Sequence, residues 1–346
     1  MAKQNVTIRD IAKKAGVSPA LVSFVMNNRV DANGKKRYRV SEASRERILG
    51  VAAEMNYQPN AAARMLRQGR SRVIGAILSD MANLFYGIIA RELENVAAEY
   101  GYTVLFGSSD EDPAKFEQLV RSFIDKDVEG FIIVPCAGSA PTMEFLRSNL
   151  YPFVVIDRHH PDFQVPSVLL DNRAAMDEAM RLLTGRGCRR IELVTYGMRV
   201  SSMIDREDQF IRNLRARGTA DEDIRIYRLP FERVREETEA VVDQVIAHRT
   251  DGLILASNVL SASVLKALFR RKVRIQQDIF IVGFDYSNIY EVFDPPIPYI
   301  QQPLEAISRQ AAEYLLRIID IKEKDGDISG ITERIILQGR TVEQPL

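Results

Sequence analysis

Fifteen lysines and arginines but only five acidic residues fall within residues 1–72, whereas residues 73–346 hold 32 basic and 42 acidic side chains. The formal net charge of zero over 346 residues therefore hides a head of +10 on a body of −10. Clustered fixed cations do one kind of chemistry well: they neutralise a polyanion and release its counterions. Residue types suited to covalent or metal chemistry are sparse by comparison. The three histidines are His159, His160 and His248, and the adjacent pair lacks the i,i+4 spacing of a helical metal site. The two cysteines, Cys136 and Cys188, fit no metal-ligand spacing and suit a reducing compartment without structural disulfides. No Gly-x-Gly-x-x-Gly, Walker A or Gly-x-Ser-x-Gly run is present. No catalytic residue, metal or cofactor is expected.

The elements that must position the basic residues begin at Val6–Asn27, VTIRDIAKKAGVSPALVSFVMN. Thr7 can cap a first helix, with Asp10 three residues on, close to a capping box. Ile8, Ile11, Ala12 and Ala15 share one face at helical spacing. Gly16 suits the left-handed conformation that ends a helix. Ser18 caps a second helix, and Pro19 sits at its first position, where a missing N–H costs nothing. Leu21, Val22 and Val25 form its buried side. Helix, glycine turn and capped helix make a helix-turn-helix, whose second helix enters the DNA major groove. Any small helical hairpin shares part of this pattern; the basic surroundings favour DNA.

The string also resembles the lactose-repressor (LacI/GalR) family of bacterial transcription regulators, whose opening run is VTxxDVAxxAGVSxxTVSRVLN-like. Val6, Thr7, Asp10, Ala12, Ala15, Gly16, Val17, Ser18, Val22, Ser23 and Asn27 match it. In the body the resemblance continues through Asp157-Arg158, Asp171-Asn172, Arg206, Phe210, Val282-Gly283-Phe284-Asp285, Asp294-Pro295-Pro296 and Gln302-Pro303, so it spans essentially the whole chain.

Residues 28–39, NRVDANGKKRYR, form a basic loop longer than the family's usual connection, with a turn at Asn33-Gly34. Its cations, Arg39 among them, can touch phosphates or stand solvated. Ser41 caps a third helix running to about Met55, striped by Ile48, Val51, Ala52 and Met55, and the head closes near Tyr57. From Pro59 to Gly69 runs an alanine-rich segment that Asn60 can cap and Gly69 can close. A helix this short is marginal alone in water. The resemblance identifies it as a hinge helix whose leucine, here Leu66, wedges into the minor groove, with Ala63 at the small position one turn earlier; such wedges kink a base step. The resemblance places Thr7, Ser18, Pro19, Ala20, Leu21, Ser23, Phe24, Asn27, Arg39, Ser41 and Tyr57 of the head, and Asn60, Ala63, Leu66 and Arg67 of the hinge, at the DNA. Phe24 stands where the family has arginine and Leu21 where it has threonine. A groove-facing charge is lost, and Phe24 either touches a thymine methyl or packs.

From Val73 the texture changes to alternating strands and helices. Strands are expected at 73–78, 102–106, 130–134 and 153–156, then again at 190–195, 224–229, 252–256 and 279–284. Helices are expected at 86–100, 113–126, 205–216, 232–248 and 260–270, with a last strand at 332–337. Such alternation predicts parallel sheets with helices on both faces. Two α/β halves in tandem predict a bilobed body whose cleft lies outside the carboxyl ends of the strands.

The expected fold is thus an α/β bilobed, periplasmic-binding-protein-like core of two Rossmann-like lobes behind an all-α helix-turn-helix head. The expected domains are a head over 1–58, a hinge over 59–72 and a core over 73–346. The resemblance implies three crossings between lobes, near 171, 301 and 328, giving one lobe of about 73–171 and 302–328 and another of about 172–301 and 329–346.

Carried over position by position, the effector pocket of this family implies Phe85, Tyr86, Asp157, Arg158, Arg206, Phe231, Asn258 and Asp285. Carboxylates accept from ligand hydroxyls, Arg206 offers a planar fork, and Phe85 and Phe231 can stack on an apolar ligand face. Singly, the phenylalanines read as core and the aspartates as loop caps; their shared place at strand ends favours a ligand. Val259 stands where the family commonly has aspartate, and Gln209 where it has a small residue.

The implied function is a DNA-binding repressor controlled by a small-molecule effector, a sugar or sugar derivative. The alternatives are a free sugar-binding protein of the periplasmic type, and an α/β enzyme with an added helical domain. The helix-turn-helix and the absence of a signal-peptide core count against the first alternative, and no convincing catalytic pair supports the second. No apolar run is long enough to span a membrane, so a cytoplasmic protein is expected. The expected partners are a pseudo-palindromic double-stranded operator, the carbohydrate effector and a second copy of the chain. No leucine heptads follow the last strand, which favours a dimer.

Overall fold

The structure is a computed structural model that describes residues 6–27, 40–57, 70–160 and 163–343. It divides into two compact units, Met1–Ser71 and Arg72–Leu346, each considered by itself.

Among its described residues the first unit holds three helices, Ile8–Ala15, Pro19–Asn27 and Glu42–Glu54. Local chemistry accounts for their boundaries. The Thr7 side chain accepts from the Asp10 amide while the Asp10 carboxylate accepts from the Thr7 amide at 2.8 Å, a full capping box. Gly16, at φ +66°, ends the first helix in the left-handed region. The Ser18 hydroxyl accepts from the Leu21 amide at 3.2 Å, and Ser41 does the same for Ser44 at 3.3 Å. Ile11, Ala12, Ala15, Val22, Val25, Ile48 and Ala52 close into one small core. Ile8 and Leu21, expected on the buried faces, are only half-buried at its edge. The basic loop 28–39 and the hinge segment 59–69 lie outside the described residues.

Among its described residues the second unit holds two sheets of six strands. The first comprises β1 (Val73–Leu78), β2 (Thr103–Ser108), β3 (Gly130–Ile133), β4 (Phe153–Ile156), β5 (Ser167–Leu170) and β11 (Arg334–Leu337), in the order β11-β5-β4-β3-β1-β2. The second comprises β6 (Ile191–Tyr196), β7 (Ile226–Leu229), β8 (Gly252–Leu255), β9 (Phe280–Phe284), β10 (Tyr299–Gln301) and β12 (Arg340–Val342), in the order β12-β10-β9-β8-β6-β7. All pairings are parallel except β10 with β12. Numbered within each lobe, the first five strands run 2-1-3-4-5, the doubly wound order with its switch point between the first and third strands. The two lobes are therefore topological copies, and residues after equivalent strands occupy equivalent places.

Several elements go beyond those expected from the sequence. The helices Ala140–Ser148, Asn172–Gly185 and Leu304–Asp325 and the short strands β5, β10 and β12 complete the lobes. The helix expected to start at 205 begins a turn earlier, at Ser201, and the one expected from 232 begins at Val234 behind a short 3-10 turn at Phe231–Arg233. The third crossing is the main correction. The resemblance implies a crossing near 328, which would put the last strand in the second lobe. Instead β11 pairs in parallel with β5 in the first lobe, and the chain crosses between Leu337 and Arg340. The reason is burial: β5 has an open edge to cover, and the backbone groups of Ser167–Leu170 take partners from Arg334–Leu337.

Gly283 illustrates how tightly the second lobe is built. A Cβ placed there would overlap the Tyr290 hydroxyl, which donates to Ser261 Oγ at 2.7 Å in a fully buried position. Gly283→Ala is expected to lower the stability of the body by about 1–3 kcal/mol, through the shift it forces on Tyr290. Chemical denaturation followed by tyrosine fluorescence checks this, and an unchanged midpoint would mean the aromatic side chain can move freely.

Candidate functional site

The carboxyl ends of strands from both sheets converge on one cleft between the lobes. All eight residues inferred for a pocket line it: Phe85, Tyr86, Asp157 and Arg158 from the first lobe, and Arg206, Phe231, Asn258 and Asp285 from the second. Asp157 directly follows β4 and Asp285 directly follows β9, equivalent strands of the two copies. Both take the left-handed backbone, at φ +66° and +65°. That conformation is uncommon outside glycine and costs about 1–3 kcal/mol, and residues held in it cluster at functional sites.

In the first lobe, Arg158 is the hub. Its Nη1 and Nη2 donate to the two oxygens of Glu111 at 3.0 and 2.9 Å, and its Nε donates to Asp157 at 3.2 Å. Nη2 also donates to the Tyr86 hydroxyl at 2.9 Å, which in turn donates to Asp157 at 2.9 Å. Ser79 Oγ donates to Glu111 as well. Burial opposes the charge on Arg158, but Tyr86, Asp157 and Glu111 around it hold its pKa well above the usual value. Burial, with the neighbouring carboxylates, likewise pushes the Tyr86 phenol far up, so it stays protonated and donates.

In the second lobe, Arg206 is only 1% exposed. Its Nε donates to Asn172 Oδ1 at 2.8 Å and its Nη1 to the Ala256 carbonyl at 2.6 Å, while the guanidinium lies 4.3 Å from the centre of the Phe284 ring. Burial lowers its pKa, from a value so high that the charge remains. Burial raises the Asp285 carboxyl to about 6, partly offset by Arg206 and by the Gln302 amide, which donates to it at 2.8 Å. Gln302 is thereby oriented, and its buried Oε1 has no hydrogen-bond partner among the described residues. The Asn258 amide donates across the cleft to Asn83 Oδ1 at 2.8 Å, and the His159 amide donates across it to Ser201 Oγ at 2.8 Å. The arrangement can hold a small polar ligand among donors and acceptors from both lobes, with Phe85 and Phe231 in the same lining.

Asp80, Asn83, Glu111, Tyr196, Ser257 and Gln302 also line the cavity and were not inferred for it. The signal that could have found Glu111 is topological. It follows β2 in the first lobe, as Phe231 follows the equivalent β7 in the second. Its Asp-Glu-Asp-Pro surroundings read only as a helix start, and Asp112 does cap the helix Pro113–Ile124.

Of the residues inferred for DNA contact, Ser18, Pro19 and Ala20 are exposed at the start of the second helix, and Thr7 and Ser41 are exposed at two other helix starts. Leu21, Ser23, Phe24 and Tyr57 are half-buried, and Asn27 is the last residue of the second helix. Arg39, Asn60, Ala63, Leu66 and Arg67 lie outside the described residues. Among the described residues no three His, Cys, Asp or Glu side chains are grouped to hold a metal ion, and no helix is long and apolar enough to cross a membrane. Cys136 and Cys188 are free and buried, and burial pushes both thiols up to about 11.

Residues 7–60 match the model of bacterial regulatory proteins of the lacI family, and residues 180–339 match that of a periplasmic binding protein-like domain. The chain is 30% identical over 336 residues to a ribose operon repressor of Halalkalibacterium halodurans, covering 97% of each protein. Its fold is similar to the lac repressor dimer bound to operator and the anti-inducer ONPF, with a TM-score of 0.81 at 21% identity over 98% of each chain. It is also similar to the cellobiose complex of the transcriptional regulator CelR, with a TM-score of 0.68 at 22% identity over 99% of this chain and 100% of the other. The capped helix-turn-helix, the twin lobes and these matches over nearly the full length lead to one assignment: the chain belongs to the lacI family of bacterial regulatory proteins, and it is a DNA-binding transcription regulator rather than an enzyme.

Proposed function

We propose that the protein is a cytoplasmic repressor that binds a pseudo-palindromic operator as a homodimer and responds to a carbohydrate held between its lobes. The observation that carries this reading is the convergence of eight inferred pocket residues, from both lobes, on one cleft. The ribose operon repressor and the cellobiose-bound regulator among its relatives support a carbohydrate. A ligand can control DNA binding only by favouring one lobe arrangement over another. The cavity is suited to this, because Asn83 and Asn258 already meet across the cleft and a ligand beside them would strengthen closure. In this reading Phe85, Tyr86, Asp157, Arg158, Arg206, Phe231, Asn258 and Asp285 hold the effector. Thr7, Ser18, Pro19, Ala20, Leu21, Ser23, Phe24, Asn27, Arg39, Ser41 and Tyr57 face the operator half-site.

Coupling runs through the hinge. The helix inferred from the sequence of residues 59–69, which lie outside the described residues, would be too short to persist alone, so its folding would depend on how the dimer holds the two chains. Paired hinges then place Asn60, Ala63, Leu66 and Arg67 at the operator centre, with Leu66 as the wedge. The test is a gel-shift titration of Leu66→Ala on operator and on random DNA. Specific binding is expected to weaken much more than binding to random DNA, because the kink is made only at the specific site. Equal loss on both DNAs, or loss on neither, removes the wedge. A thermal-shift panel of sugars, sugar phosphates and nucleosides tests the cavity, since a ligand of the folded state raises Tm by mass action. Free sugar binding without regulation is the weaker reading, because the first unit has no use in it.

A further inference from the structure

We propose that the interlobe cavity selects an uncharged, hydroxyl-rich ligand over its phosphorylated or carboxylated analogues, and that Glu111 sets this selection. The inference rests on the reading that the cavity holds the effector, and it adds the ligand's charge class.

The cavity is lined by four carboxylates, Asp80, Glu111, Asp157 and Asp285, against two guanidiniums, Arg158 and Arg206, with no lysine or histidine. A guanidinium fork is the natural seat for a phosphate or carboxylate. Arg158 has no such seat left. Both Nη atoms are taken by Glu111, Nε by Asp157, and Nη2 is shared with Tyr86. The Arg158 and Glu111 side chains are only 7% and 9% exposed. An incoming anion would have to displace a buried carboxylate and leave it unpaired, a heavy penalty away from water. Arg206 is committed through Nε and Nη1, and an anion approaching its remaining donors meets the nearby Asp285.

A second observation points the same way without any charge count. The amide nitrogen of Gln302 is spent on Asp285, which leaves Oε1 as a buried acceptor without a partner among the described residues. It needs a donor. A hydroxyl donates and accepts, so it can satisfy Gln302 or a cavity carboxylate while taking a bond from Arg206 or Asn258. An ionised phosphate or carboxylate oxygen only accepts.

The experiment is calorimetric titration of the full-length protein with matched pairs: ribose and ribose 5-phosphate, glucose and glucose 6-phosphate, galactose and galacturonate. In every pair where either member binds, the neutral member is expected to bind on the order of a hundredfold more tightly, the difference one unscreened charge makes in a half-buried site. Glu111→Gln keeps the shape and removes the competing charge, and is expected to narrow the gap about tenfold. An anionic member that binds as tightly as its neutral partner, or more tightly, in the unaltered protein overturns the charge selection and leaves the effector reading standing. An unchanged gap in a folded Glu111→Gln removes Glu111 from the role. Heat from no member of either class overturns the carbohydrate reading and this inference with it. The comparison in the unaltered protein stands even if the variant does not fold.

Discussion

Arg206→Ala is expected to abolish the ligand response and to destabilise the second lobe in the same stroke. The guanidinium has two structural acceptors, Asn172 Oδ1 and the Ala256 carbonyl, and a packing partner in Phe284. Truncation leaves buried acceptors without donors, each costing about 1–3 kcal/mol, and opens a void beside Phe284. The donors left over for a ligand vanish as well, and a charge-assisted hydrogen bond lost there costs about 1.5–3 kcal/mol, roughly ten- to hundredfold in affinity. Because the two losses coincide, Asp285→Asn is the cleaner companion: it removes an acceptor for a ligand hydroxyl with little change in shape. Calorimetry and denaturation on both variants separate the effects. Unchanged ligand affinity in both would mean that the ligand sits elsewhere. The Asp285 carboxyl, raised to about 6 by burial, adds a pH signature. If the ionised form is what accepts from the ligand, affinity is full above that pH and falls as pH drops through it, and Asp285→Asn flattens the profile.

Binding to DNA is expected to fall by about a thousandfold or more between roughly 50 and 200 mM salt, although the chain as a whole carries no net charge. What sets the slope is the number of phosphates neutralised locally, because charges beyond a Debye length of about 8–10 Å are largely screened. The surplus of cations in residues 1–72 is expected to supply those contacts, and the acidic excess of residues 73–346 to oppose only non-local association. Removal of residues 1–71, which form a compact unit of their own, is expected to end DNA binding and to leave ligand affinity within a few-fold. Fluorescence anisotropy across a salt series decides it. A flat salt dependence, or DNA binding by residues 72–346 alone, would sink the division of labour.

The parts legible in the sequence share one property: a few neighbouring residues decide them. Thr7 with Asp10, Gly16, Ser18 and Ser41 each mark a helix end through bonds within three or four positions, and each does so in the structure. The apolar runs of β1, β3, β4, β8 and β9 were readable because strands buried on both faces need no partner to be recognised. The long helices Asn172–Gly185 and Leu304–Asp325 are less legible, because both start directly at a lobe crossing and their apolar faces are defined only by the lobe each packs on.

By itself, then, the chain determined its charge division, its capped helix-turn-helix and its two α/β halves, because propensity, capping and periodicity act over a turn or a strand. Only the tertiary structure decided that β11 joins β5 rather than the second lobe, since an exposed strand of alternating burial carries no record of its partner. It alone put Glu111 on Arg158, 47 positions away, and left Gln302 with an acceptor to spare. Those pairings depend on which strand ends meet at a switch point, and that is settled by how whole sheets twist and pack rather than by any local run of residues.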